Sequence, residues 1–187
     1  MATELNGKRI LILATNGFEQ SELEVPRDKL KAAGAKVDIV SPQAGEIKGW
    51  DNKDWGRGVK VDKKLTDAKA ADYDAIVLPG GQMNPDLLRV DKDAIALIKA
   101  FFDAGKTVAA VCHAPWLLIE AGIASGRKMT SYKSIKTDVI NAGAKWEDSA
   151  VVVDHGIITS RSPSDLDAFC AKIVEEVREG KHLRKAA

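Results

Sequence analysis

The sequence predicts an α/β fold, a three-layer sandwich in which helices cover both faces of a mostly parallel sheet. Three observations carry that expectation. Short, β-branched apolar runs alternate along the chain with amphipathic stretches of helical period. Gly34, Gly105 and Gly122 close several of those stretches as helix stops. No internal repeat, low-complexity tract or Pro/Ser-rich linker divides the 187 residues, a length that suits one domain over residues 1–187 with a full hydrophobic core.

The elements follow in order. Arg9 to Leu13 reads as the first strand. Leu23, Pro26, Leu30 and Ala33 then recur at helical spacing, with Pro26 required in the first turn or at a kink. Lys36 to Val40 is the second strand, ended by Ser41-Pro42. The stretch from Gly45 to Gly58 holds Trp50 and Trp55 without periodicity and reads as an excursion with at most short strands. Ala75 to Leu78 is a buried strand running into Pro79-Gly80-Gly81. Asp91 to Ala104 forms a helix with Ala94, Ile98 and one of Phe101 and Phe102 inward. Thr107 to Val111 is a strand that runs straight into Cys112, and His113 to Ala121 follows as a helix. Ile135 to Asn141 is helical, Lys145-Trp146 and Val151 to Val153 are strands, and Asp154-His155-Gly156 turns the chain into Ile157 to Ser160. The last helix opens on Ser162-Pro163-Ser164-Asp165, a capping serine, a proline at the first helical position and an acid three residues after the cap. Its buried stripe is Leu166, Phe169, Cys170, Ile173, Val174 and Val177. With right-handed crossovers this order gives a flavodoxin-like outline.

Composition excludes several classes. Lys and Arg number 28 against 27 Asp and Glu, so no basic surplus points to nucleic acid or an anionic membrane. The basic tail, Lys181 to Lys185, reads as a solvated terminus. No apolar run approaches the roughly 20 residues that cross a bilayer. Met1 to Arg9 is polar and lacks the apolar stretch of a signal peptide. A cytoplasmic location follows as the expectation, with Cys112 and Cys170 as reduced thiols. Neither Cys-x-x-Cys nor His-Glu-x-x-His occurs, and no glycine-rich phosphate loop occurs, so no metal site and no cofactor are expected.

In an open parallel sheet, ligands bind beyond the carboxyl ends of the strands. Three segments fall there: Asn16-Gly17-Phe18-Glu19, Pro79-Gly80-Gly81 and Cys112-His113. Cys112, between a strand and a helix, occupies the position of a nucleophile elbow, where a helix start favours thiolate near neutral pH. The alternative is a small buried residue, and Cys170, on an apolar helix stripe, reads as that. His113 is a candidate acid or base, and Glu19, if protonated beside the sulfur, a hydrogen-bond donor to it. Glu22 and Glu24 read as surface acids, and His155 and His182 as surface histidines. Gly80, Gly81 and the His113 N–H are candidates for an oxyanion hole, unless the glycines only turn the chain.

These residues bear a likeness. Gly17-Phe18-Glu19, Val77-Leu78-Pro79-Gly80-Gly81, Ala110-Val111-Cys112-His113-Ala114-Pro115, Thr130-Ser131-Tyr132, Val153-Asp154 and Thr159-Ser160-Arg161 resemble the ThiJ/PfpI superfamily, in its PfpI-type intracellular protease and deglycase branch. The match runs from about Lys8 to Val177. The resemblance implies a flavodoxin-like sandwich of the class I glutamine amidotransferase-like kind, in a homodimer or higher homo-oligomer. It implies Cys112 as nucleophile, Glu19 as its protonated partner and His113 as catalytic histidine. It also implies an acid from a neighbouring subunit that orients the histidine, and Asp86 is the position that matches.

Three functions compete. One is a stress-protective hydrolase or lyase of reactive carbonyls or glycated adducts, in which Cys112 attacks an aldehyde. Another is a cysteine peptidase acting on peptides or proteins. The last is a redox sensor or chaperone whose oxidisable thiol is Cys112. Trp50 and Trp55 line an interface, the pocket mouth or the core in equal measure.

Overall fold

A computed structural model describes residues 4–183, so Met1 to Thr3 and, in the basic tail, Arg184 and Lys185 lie outside the described residues. In chain order the elements are β1 (Arg9–Leu13), β2 (Phe18–Glu19), α1 (Gln20–Ala32), β3 (Lys36–Ser41), β4 (Glu46–Asp51), β5 (Asp54–Lys60), β6 (Lys63–Lys64) and β7 (Ala75–Leu78). Then come α2 (Met83–Leu88), α3 (Lys92–Asp103), β8 (Thr107–Val111), α4 (Pro115–Glu120), β9 (Lys128–Met129) and α5 (Lys136–Asn141). β10 (Lys145–Trp146), β11 (Val151–Asp154), β12 (Ile157–Ser160) and α6 (Leu166–Glu179) complete the chain.

The main sheet has the order β11-β12-β8-β7-β1-β3-β6, parallel except for the edge strand β11. Its strands are apolar on both faces because both faces are covered. Leu11, Leu13, Ile76, Leu78, Val108 and Ala110 point into one core, while Ile10, Ile12, Ala75, Val77, Ala109 and Val111 point into the other. Leu97 and Phe101 of α3, Leu117 of α4 and Val139 of α5 fill the first core; Leu23 and Leu30 of α1 with Phe169 and Ile173 of α6 fill the second. The three-layer, mostly parallel architecture is the one the sequence predicts. Strand order reverses beside β1, which opens a crevice at the carboxyl ends of β1, β7 and β8.

Several local expectations are corrected. Gly45 to Gly58 forms a full antiparallel hairpin, β4 with β5, closed by Asn52 at φ 56 and joined by β2 into a second sheet. Its glycines and charges hide the period because most of its side chains are exposed. Pro26 sits in the middle of α1, which begins six residues before it, so of the two places expected for it the first turn is not the one taken. The capping box at Ser162 is absent. Ser162 Oγ instead meets Ser164 Oγ at 2.8 Å, and Asp165 is drawn off to Arg161 at 2.9 Å. α2 was not expected as a helix. Its Asn84, fully buried, accepts from Thr15 N–H (2.7 Å) and donates to the carbonyls of Pro79 (2.9 Å) and Gly80 (3.2 Å), which clamps the Gly-Gly loop. His182 is not a surface residue: its N–H donates to Gly105 O at 2.8 Å and its ring lies 3.3 Å from Glu176.

Candidate active site

Cys112 follows β8 with φ 63, a left-handed conformation that costs a non-glycine residue roughly 1–2 kcal/mol. The turn is held on all sides. Ala114 N–H donates to Val111 O (3.0 Å), Cys112 N–H to Ser160 O (3.0 Å), and Tyr132 N–H to Cys112 O (2.8 Å). The strain turns the sulfur out of the strand line toward the crevice, at the floor of a cavity of about 470 Å³. Glu19, Glu22, Trp50, Asn52, His113 and Tyr132 are among its walls.

The carboxyl at the sulfur belongs to Glu22, not Glu19. Glu22 is fully buried, its Oε2 accepts from Gly80 N–H at 2.8 Å, its Oε1 has no hydrogen-bond partner among the described residues, and its carboxyl is electrostatically coupled to the Cys112 thiol. Glu19 precedes the first residue of α1 without a capping side-chain hydrogen bond, half-buried in the cavity wall, with Ser21 Oγ donating to it at 3.4 Å. The expectation that Glu22 is a surface acid is therefore wrong. A signal for it was present: Glu22, Pro26 and Leu30 are spaced by four, so the acid lies on the buried stripe of α1. Glu24 is partly covered and pairs with Arg57.

Burial pushes the Glu22 carboxyl from 4.5 up to about 8, helped by the charge of Glu19 and opposed by the nearby Cys112 thiol, by the hydrogen bond from Gly80 and by the neighbouring Gly81 N–H. Burial, followed by the charge of Glu22, also pushes the Cys112 thiol far above its ordinary range, while the N–H groups of Gly81 and His113 pull it down. Both shifts favour the neutral forms: desolvation at 6% exposure works against the two N–H groups at the helix start, which favour the expected thiolate. A linkage follows. The folded state holds the Glu22 proton more tightly than the unfolded chain, so the stability it contributes is complete below about 4.5 and is lost as pH climbs through about 8. Urea denaturation is expected to show wild-type stability falling across that window, with Glu22→Gln flattening the slope. An unchanged slope in the variant contradicts the assignment.

Gly80 does not serve the predicted oxyanion hole, because its N–H is taken by Glu22. It is glycine because there is no room. A Cβ there would stand 2.5 Å from Glu22 Oε2 and 2.7 Å from Cys112 Cβ. Gly81, at φ 78, keeps its N–H directed at the Glu22–Cys112 pair, with the His113 N–H beside it.

His113 is buried, and its Nδ1 lies 3.2 Å from Cys112 Sγ. Burial lowers its pKa below the ordinary 6.5, so the ring is neutral at neutral pH and free to accept a proton. Asp86 lies exposed on α2 and does not line the cavity. Trp50 lines the cavity and meets Trp55 edge-on at 5.6 Å, while Trp55 is exposed. Cys170 is buried on α6, its thiol pushed up to about 12 by burial, and both cysteines are free. Among the described residues no helix is long and apolar enough to cross a membrane.

A flavodoxin-like α/β sandwich with a strained cysteine at a strand-to-helix elbow, backed by a buried acid, defines a class of cysteine-centred α/β proteins. The chain belongs to the DJ-1/PfpI family, whose sequence model matches residues 8–176. It is 43% identical over 163 residues to the "Putative cysteine protease YraA" of Bacillus subtilis, covering 87% of this chain and 94% of that one. It is 42% identical over 170 residues to "Deglycase TK1284" of Thermococcus kodakarensis, covering 91% and 99%. "Protein/nucleic acid deglycase 2" of Escherichia coli is 43% identical over 164 residues, covering 87% and 93%. Among solved structures, Drosophila melanogaster DJ-1beta superposes with a TM-score of 0.83 at 31% identity, covering 95% of this chain and 91% of that one.

Proposed function

We propose that this protein is a cytoplasmic, stress-protective hydrolase or lyase that uses Cys112 to act on reactive carbonyls or glycated adducts, without a cofactor. The observation that carries this reading is the buried neutral carboxyl of Glu22 against the Cys112 thiol, with the base His113 at 3.2 Å. His113 Nδ1 takes the thiol proton as sulfur adds to the aldehyde carbon of methylglyoxal; a hemiaminal adduct first breaks its C–N bond, its O–H proton passing to the departing amine, and so yields the same aldehyde. The Gly81 and His113 N–H groups stabilise the oxygen that gains charge, and Glu22 delivers a proton to it. The resulting hemithioacetal passes through an enediol, moving a proton from the first carbon to the second, to a lactyl thioester. Water then releases lactate and restores the thiol. The balance is methylglyoxal plus water to lactate, or adduct plus water to lactate and free amine.

Relatives named deglycases support the reading. Pure protein incubated with methylglyoxal, or with an amino acid already glycated by it, is expected to release lactate in proportion to enzyme. No lactate at any enzyme concentration overturns it. Peptide hydrolysis is the second reading, favoured by the Cys112–His113 contact and by the relative named a putative cysteine protease. Casein cleavage that vanishes in Cys112→Ser supports it, and cleavage that persists marks a contaminant. A homo-oligomer is part of the proposal: Met83 and Leu87 leave an exposed apolar edge on α2, and Asp86 beside them acts only where a second copy brings α2 to a cavity mouth.

A further inference from the structure

The far nitrogen of His113 has a partner that neither the sequence motifs nor the family comparison assigns. Its Nε2 lies 3.2 Å from Ser134 Oγ, on the short 3₁₀ turn Lys133–Ile135, while Nδ1 faces Cys112 Sγ at the same separation. The ring plane is set by Tyr132, stacked at 4.9 Å and 25°, and by Trp116, edge-on at 5.3 Å. Among the described residues no ion pair reaches the imidazole. The groups facing it are the thiol, the Ser134 hydroxyl, these two aromatic rings and, across the cavity, Glu19 and Glu22.

A neutral imidazole carries one N–H. For Nδ1 to accept the thiol proton, that N–H must sit on Nε2, and a buried N–H requires an acceptor. We propose that Ser134 is the positioning residue of His113, filling from the same chain the place an orienting acid would hold. This rests on the reading of Cys112 as nucleophile. In the resting tautomer the Ser134 oxygen accepts from Nε2–H. Once Nδ1 has taken the thiol proton, Nε2 can release its own proton to water through the exposed Ser134 hydroxyl, which then rotates and donates to the bare nitrogen. The S–H and Nε2–H bonds break, the Nδ1–H bond forms, and water carries the proton away. A hydroxyl serves both roles, whereas an ionised carboxylate can only accept.

The test is ¹⁵N NMR of the full chain with labelled histidine, alongside lactate kinetics. In wild type His113 is expected as a single neutral tautomer protonated at Nε2. Ser134→Ala is expected to mix the two tautomers and to lower kcat about tenfold, with KM changed by less than about twofold. Ser134→Thr, which keeps the hydroxyl, is expected to restore both readouts, separating positioning from a structural role of the turn. A wild-type tautomer and kcat in Ser134→Ala overturn the proposal. So does a mixed tautomer produced by Asp86→Asn and not by Ser134→Ala, which assigns the ring to an acid of a second copy. If wild type forms no lactate, the carbonyl reading fails alone, because the tautomer measurement needs no substrate.

Discussion

Cys112→Ala is expected to abolish lactate formation, a loss of at least ~10³-fold, with the fold intact. The sulfur is the atom that adds to the carbonyl carbon, and alanine offers nothing in its place. Cys112→Ser is expected to be almost as inactive. A neutral hydroxyl is a far weaker nucleophile toward carbonyl carbon than sulfur at the same place. Both variants keep a Cβ at φ 63, so the strained turn and its three backbone hydrogen bonds remain. Circular dichroism spectra matching wild type would separate lost chemistry from lost folding. Cys170→Ala supplies the opposite pattern: turnover within about twofold of wild type and a stability loss of about 1 kcal/mol, as for a small buried side chain on a packed helix. If Cys112→Ala retains lactate formation above a tenth of wild type, the nucleophile assignment is wrong.

Glu22→Gln is expected to move two rates in opposite directions. Lactate formation should fall by about 10²–10³-fold, because the amide keeps the shape and the hydrogen bond to Gly80 but cannot give up a proton. Alkylation of Cys112 by iodoacetamide above about pH 8 should become several-fold faster, by the same charge argument. Above that pH the wild-type carboxyl is ionised, and its charge resists formation of a second anion on the sulfur. Glutamine removes that charge, so the thiolate forms at lower pH. Intact-mass kinetics across pH 6 to 10 measure the second effect without substrate. Alkylation slowed in Glu22→Gln would show that the acid stabilises the thiolate instead of opposing it, and would reverse the assignment of the shared proton.

Much of the scaffold was legible because burial imposes a simple pattern. Arg9 to Leu13, Ala75 to Leu78 and Thr107 to Val111 are covered on both faces and read as unbroken apolar runs. The hairpin of β4 and β5 escaped because an exposed strand needs no such pattern, and its tryptophans and glycines carry no period. α2 escaped because six residues are too short to show one. The likeness to the PfpI branch was likewise legible, since its motifs cluster at strand ends, where close packing dictates glycine at Gly80 after β7 and a tight turn after β8 leaves Cys112 strained.

From the chain alone came the alternation of the main-sheet strands with the longer helices, the family, and a cysteine at the end of a strand with a histidine after it. Local periodicity and turn chemistry suffice for those. Only the packed structure decided which acid meets the sulfur and in what state of protonation. Glu19 and Glu22 differ by less than one helical turn and both line the cavity, yet the direction of α1 beneath the Gly-Gly loop leaves one half-buried and the other fully buried against Gly80. Desolvation there, a property of everything packed around a group and of no residue by itself, pushes both the Glu22 carboxyl and the Cys112 thiol toward their neutral forms.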